Sequence, residues 1–312
     1  FKLVVGYSTR AELSTIIDFI RFGASQFGKA GLTFGHSFDN ALDESTQLVL
    51  HALHLPHDIG PAYGQARLTA EEKADVLALF KRRIEERIPA CYLTGDAWFA
   101  GLNFKSDARA LVPRSPIAEL IESGFEPWLA GRPVQSALDL CTGSGCIALA
   151  MAHYNPEWQV DGVDISEDAL ALAAENKARL YADNCELIRS NLFAELNGKV
   201  YDLIVTNPPY VTNDETDALP PEYAFEPDLG LRAGDDGLDF ALKILRDAPS
   251  HMSEFGLLIC EVGESERHLV KLLPEVPFVW VEFKVGQMGI FAIDRNDILA
   301  HHERISALAN AR

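Results

Sequence analysis

Asn207-Pro208-Pro209-Tyr210 follows the apolar run Tyr201–Thr206 without a break. Two consecutive prolines between an amide side chain and an aromatic ring are more than a turn requires. Each proline fixes its own φ and pushes the preceding residue out of the helical region, so the sequence predicts Asn207 and Pro208 extended and stiff. A rigid polar group at the carboxyl end of a strand suits an α/β enzyme that holds a small planar group. A stiff loop with no chemistry is the plainer alternative.

A second constellation lies upstream. Ser136–Ala148 reads as a strand, a small-residue turn and a helix start, with Cys141, Thr142, Gly143, Ser144 and Gly145 forming the turn. Glycines at 143 and 145 let a ligand approach backbone N–H groups at the helix N-terminus. Gly143-x-Gly145-x-x-Ala148 also satisfies the dinucleotide fingerprint, so the turn alone leaves the ligand open. Asp164 ends the next strand about 20 residues on, where a carboxylate accepts ribose hydroxyls of either a nicotinamide cofactor or S-adenosylmethionine. Asp139 repels a pyrophosphate but suits the ammonium of a methionine moiety, although it also fits as a strand-end turn residue. In Ser190-Asn191-Leu192-Phe193, Asn191 is placed to hydrogen-bond an adenine edge and Phe193 to pack on its face. The same residues also read as a turn Asn beside a core Phe.

Such residues need a scaffold that gathers strand ends. From Val134 the chain alternates strand and helix patterns, with strands near 135–140, 159–164, 185–189, 201–206, 256–262, 278–284 and 288–294. Helices are predicted near 145–153, 166–181, 236–248 and 264–272. This alternation argues for an α/β fold with a parallel, doubly wound sheet. Only Val285-Gly286-Gln287 separates the last two strands, which predicts a hairpin and an antiparallel edge. Residues from about 12 to 90 read as helices: one through Ile16–Phe27, one starting at Asp39 or Asp43 and stopping before Pro56, and one behind the capping box Thr69-Ala70-Glu71-Glu72. Tyr92–Val112 suggests a β-hairpin linker, and Pro113–Pro116 opens a helix running to about Leu129. The expected division is 1–92 helical, 93–113 linker and 114–312 the α/β domain.

The 312 residues are 48% hydrophobic and 23% charged, as in ordinary globular proteins, with room for two cores. No apolar run is long enough to span a membrane. Phe1–Tyr7 is too short for a signal segment and, lacking Met, reads as a trimmed start. Five cysteines without C-x-x-C spacing argue against a disulfide framework or a zinc site, and for a reducing cytoplasm. His51, His54 and His57 lack a second ligand cluster and read as surface histidines. The net charge of −19 is uneven: residues before Val112 carry −1 and the remainder −18. Such an acidic half repels nucleic acid and attracts basic partners.

Taken together, the glycine turn, Asp164, Ser190–Phe193 and Asn207–Tyr210 resemble the class I S-adenosylmethionine-dependent methyltransferases. Asn-Pro-Pro-Tyr after the fourth strand resembles the branch that methylates amide or exocyclic amine nitrogens. Val112-Pro113-Arg114 and the helical N-terminal part resemble the N5-glutamine methyltransferases that modify translation proteins. Within that family, the branch acting on the large-subunit ribosomal protein L-three is most similar. This rests on Gly35-His36, Asp39-Asn40-Ala41-x-Asp43-Glu44, Arg87-Ile88-Pro89-Ala90-x-Tyr92-Leu93-Thr94, Ala97-Trp98-Phe99, Val112–Ile117 and Asp139–Cys146. The release-factor branch usually has Gly at Cys141, whereas Ser37-Phe38 stands where Gly-Thr is expected.

The resemblance implies a Rossmann-like, seven-stranded, mostly parallel sheet. It implies catalysis by Asn207, Pro208 and Tyr210, with Pro209 lining the substrate slot. Cofactor contacts are implied at Asp139, Cys141–Gly145, Asp164, Ile165, Asn191, Leu192, Phe193 and Asn207, with no metal. The implied substrate is a basic ribosomal protein, and the helical part is expected to capture it. Four alternatives stay open: action on peptide release factors, DNA adenine-N6 methylation, nicotinamide-dependent oxidoreduction and a non-catalytic ribosome-assembly role. The acidic half argues against DNA; Asp139 and the Pro-Pro loop argue against the nicotinamide cofactor.

Overall fold

The computed structural model describes residues 1–312 except Ser37 and Val285. The expected turn between the last two strands and the Ser37-Phe38 departure therefore fall partly outside the described residues. The described strands are β1 (Asp96–Phe99), β2 (Leu102–Lys105), β3 (Ser136–Leu140), β4 (Gln159–Asp164), β5 (Cys185–Arg189), β6 (Tyr201–Thr206), β7 (Met252–Glu261), β8 (Val279–Phe283) and β9 (Gly286–Asp294). β1 pairs with β2, and the other seven form one sheet in the order β5-β4-β3-β6-β7-β9-β8. β3 to β7 run parallel, and β9 is antiparallel to both β7 and β8. This is the parallel sheet that the strand–helix alternation predicts, with the antiparallel edge expected from the short spacing of the last two strands and the Rossmann-like form that the resemblance implies.

Two compact units divide the chain. The first comprises Phe1–Ala97, Ser106–Ala108 and Pro220–Phe225; the second holds the rest. In the second, the sheet is apolar on both faces because strand side chains alternate. Ala137, Leu203, Val205, Leu257 and Ile259 face the core that holds helix Cys146–Tyr154. Leu138, Leu140, Ile204, Leu258 and Cys260 face the core that holds helix Asp239–Asp247. The helix after Pro116 covers only Ile117–Glu122. It stops short of Leu129 because Gly124 and Phe125 take positive φ, which ends helical hydrogen bonding. Helices Arg295–Ala300 and His302–Asn310 close the chain; the sequence pattern did not single them out.

The first unit is built on helices Ile16–Lys29, Ala41–Ala52 and Ala70–Glu85, capped by Thr15, Asn40 and Thr69. Phe19, Phe27, Leu48, Val76 and Phe80 are fully buried between them. The segment Pro220–Phe225, expected within 114–312, belongs to this unit instead. The reason is electrostatic: Glu222 is fully buried, accepts the Thr33 N–H at 3.0 Å, and pairs with Arg83 at 3.4 Å and Arg87 at 3.2 Å. Arg83 is itself fully buried and also pairs with Glu44 at 2.5 Å. A buried cation needs such surrounding acceptors.

Candidate active site

The chain runs β3, β4, β5 outward in one direction and then returns to place β6 on the other side of β3. The carboxyl ends of β3 and β6 therefore flank the topological switch point, where α/β folds bind ligands. Leu140 and Thr206 are register partners. The next residues, Cys141 and Asn207, thus leave neighbouring strand ends, so the glycine turn and Asn-Pro-Pro-Tyr start side by side.

Hydrogen bonds knit four strand ends together. The Thr206 hydroxyl donates to the Leu140 carbonyl at 2.8 Å, and the Thr142 N–H to the Val163 carbonyl at 2.9 Å. The Asp164 carboxylate accepts the N–H groups of Gly143 and Ser166, each at 2.9 Å, and the Asp164 carbonyl accepts the Ser190 N–H at 3.0 Å. Burial raises the Asp164 pKa, while those backbone donors oppose the shift. Gly143 has φ +55°, and an added Cβ would meet only Ala110 Cβ, at an ordinary contact distance of 3.8 Å. Gly145 is the N-cap of the following helix, at φ +83°. Cys141 also has positive φ, a strained position for a side-chain-bearing residue. Burial first, then Asp164 and Asp139, holds its thiol protonated and so unreactive.

Asp139 lies beneath the turn with no solvent exposure. One carboxylate oxygen accepts the Thr142 hydroxyl at 2.6 Å and the Ala148 N–H at 3.1 Å; the other is buried without a partner among the described residues. Burial pushes its pKa up to about 7. Ser144 is buried nearby, and Ile165 is 45% exposed beside Asp164. Asn191 is exposed and Leu192 half-buried. Phe193, read from the sequence as either an adenine-packing or a core residue, lies in the core cluster. It is 6% exposed and stacks on His251 with centroids 4.7 Å apart, because the Leu192 backbone turns through positive φ and sends the next ring into the core.

At the tetrapeptide, Pro208 and Pro209 are buried, whereas Asn207 and Tyr210 are half-buried. The Asn207 side chain makes no hydrogen bond among the described residues. Tyr210 donates its hydroxyl to Glu261 at 2.8 Å, and its carbonyl accepts the Ser265 hydroxyl at 2.9 Å. Glycines cradle the loop. A Cβ on Gly263 would lie 2.6 Å from the Tyr210 ring, and one on Gly237 would lie 2.2 Å from the Tyr210 carbonyl oxygen. Glu226 accepts the Val112 N–H at 3.0 Å and pairs with Arg114 at 2.8 Å. Sequence reasoning did not single out Glu261, Ser115, Gly237 or Gly263. A lone acid closing the apolar run Leu257–Cys260, next to a strand that enters the tetrapeptide, was the available signal.

The acidic stretch 214–239 is less open than its composition implies. Glu222 and Glu226 are buried, Asp217 and Asp228 share Arg232, and Asp236 and Asp239 share Arg312. Among the described residues, no group of three His, Cys, Asp or Glu is placed to hold a metal ion, and no helix is long and apolar enough to cross a membrane.

Residues 127–220 match the family described as the methyltransferase small domain. The ribosomal protein uL3 glutamine methyltransferase of Xanthomonas campestris is 77% identical over 301 residues, covering 96% of this chain and 98% of that protein. The protein of the same name from Xylella fastidiosa is 74% identical, covering 96% of each.

Proposed function

The chain belongs to the ribosomal protein uL3 glutamine methyltransferase family, and from that premise we propose that it methylates a glutamine side-chain amide of ribosomal protein uL3. S-adenosylmethionine, when bound, supplies an activated methyl group. The residues at the glycine turn suit it. Asp139 carries a buried acceptor oxygen without a partner, which an ammonium would satisfy and a pyrophosphate would not. Asp164 is the carboxylate for ribose hydroxyls, Ile165 offers apolar surface to the adenine, and Asn191 and Leu192 border it. Cys141–Gly145 lend the turn its close backbone approach.

The observation that carries the reading is the uncommitted Asn207 amide at the end of β6, beside Cys141 across the register. A primary amide nitrogen is a poor nucleophile because its lone pair is delocalised into the carbonyl. The Asn207 side-chain carbonyl and the Pro208 backbone carbonyl each accept one N–H of the target. Holding both hydrogens favours the pyramidal nitrogen that develops during attack, so the stabilisation is greatest in the transition state. Pro209 keeps the two acceptors fixed, and Tyr210 packs over the flat amide. Positioning would supply much of the acceleration: as the N–CH3 bond forms the S–CH3 bond breaks, S-adenosylhomocysteine is the leaving group, and one amide proton departs to water. The first unit is assigned capture of the protein substrate.

Asn207→Ala tests this. Turnover falls by roughly 100-fold or more, as for loss of a transition-state hydrogen-bonding group, while calorimetry finds cofactor affinity nearly intact. Lost cofactor affinity with residual turnover contradicts the assigned role.

A further inference from the structure

We propose that Glu261 is a positioning residue for methyl transfer: its buried carboxylate holds the Tyr210 ring that closes the amide slot. This rests on the reading of Asn207–Tyr210 as that slot. Thr206 and Cys260 are register partners, so Asn207 and Glu261 emerge side by side at the carboxyl ends of β6 and β7. Glu261 is 4% exposed. One of its oxygens accepts the Tyr210 hydroxyl at 2.8 Å and the other the Ser115 hydroxyl at 2.5 Å, so each oxygen has a donor. Burial raises the Glu261 pKa, while the two hydroxyl donors and the charge of Arg114, next to Ser115, oppose the shift.

A buried acid is costly unless its oxygens are satisfied, and here the fold commits two hydroxyl donors to it. Those donors come from the tetrapeptide and from Val112-Pro113-Arg114-Ser115. Gly263, two residues beyond Glu261, has φ +50° and leaves room for the Tyr210 ring where any Cβ would collide with it. The Tyr210 carbonyl is fixed separately by Ser265. Tyr210 is therefore held at its hydroxyl and at its backbone, with Gly263 leaving the ring its space. Burial at such cost is explained if a loose Tyr210 would let the target amide turn away from the Asn207 and Pro208 carbonyls. Glu261 touches neither substrate nor cofactor in this account; it acts through Tyr210.

Three variants test the idea: Glu261→Gln, Tyr210→Phe and the double variant. Glu261→Gln lowers kcat for uL3 methylation roughly 10- to 100-fold, the scale of a small misplacement of a reacting group, with KM for S-adenosylmethionine unchanged. Because Glu261 acts through the hydroxyl that Tyr210→Phe removes, the double variant is no slower than the slower single variant. Additive losses, or a loss confined to cofactor KM, overturn the inference. A second readout needs no turnover. In enzyme labelled with 3-fluorotyrosine, Tyr210 gives one sharp resonance, assigned by its loss in Tyr210→Phe. Glu261→Gln shifts and broadens it, whereas an unchanged resonance overturns the inference. Inactivity of the wild type on uL3 instead contradicts the proposed function and leaves the resonance test standing.

Discussion

Asp139 separates two demands on one side chain. It lies one residue before the end of β3 with no exposure, accepts from Thr142 and Ala148, and keeps one oxygen without a partner among the described residues. Burial raises its pKa to about 7, so the folded state prefers the protonated acid. The unfolded value is near 4, so the stability from this preference is complete below that pH and is lost as pH rises toward 7. Thermal denaturation of the protein without cofactor should show Tm falling between pH 4 and 7 more steeply for the wild type than for Asp139→Asn. Equal slopes would assign that pH dependence elsewhere. The sequence singled out Asp139 from its place beside the glycines. Its tie to Thr142 and Ala148 was not legible, because that contact depends on how the helix packs over the strand end. Phe193 shows the opposite limit: the sequence allowed both adenine packing and a core position, and nothing in it marked the positive φ at Leu192 that precedes the buried ring.

Among the elements, strand position was read most directly. β3, β4, β5 and β6 fall where the short runs between predicted helices place them; β3, β4 and β6 lie inside the sheet with both faces covered, and such strands read as short, near-continuous apolar segments. The helix after Pro116 was overextended, since apolar residues continue past Glu122 while Gly124 and Phe125 break the backbone. The glycine cradle was illegible for a different reason. Gly237 and Gly263 are distant from Tyr210 in sequence and meet it only once β6 and β7 pair. Gly263→Ala tests the cradle: a Cβ 2.6 Å from the ring, at φ +50°, forces the loop or the strand end to move. We expect a cost of about 1–3 kcal/mol in unfolding free energy and a larger fall in kcat than in cofactor affinity. Wild-type kcat in this variant would show that ring seating does not govern transfer.

For the whole molecule, charge distribution bears on substrate choice. The −18 of residues 112–312 disfavours a polyanionic substrate and favours a basic protein. Internal pairing of Asp217, Asp228, Asp236 and Asp239 narrows the acids that remain for a partner. Asp214 is exposed with no partner among the described residues, and exposed Asp235 accepts only from Asn213. Replacing both with Asn should raise KM for uL3 a few-fold, roughly the effect of rim charges on association, and flatten its salt dependence. Unchanged KM and salt slope would remove steering by these two acids from the account. The central claim is tested most directly by one labelling comparison. The wild-type enzyme is incubated with labelled S-adenosylmethionine and, in separate reactions, uL3, a peptide release factor and duplex DNA; the label is then located by mass spectrometry. The account predicts a methyl group on a glutamine side-chain nitrogen of uL3 and none on the other two. Label on the release factor or DNA, with uL3 unmodified, would contradict it.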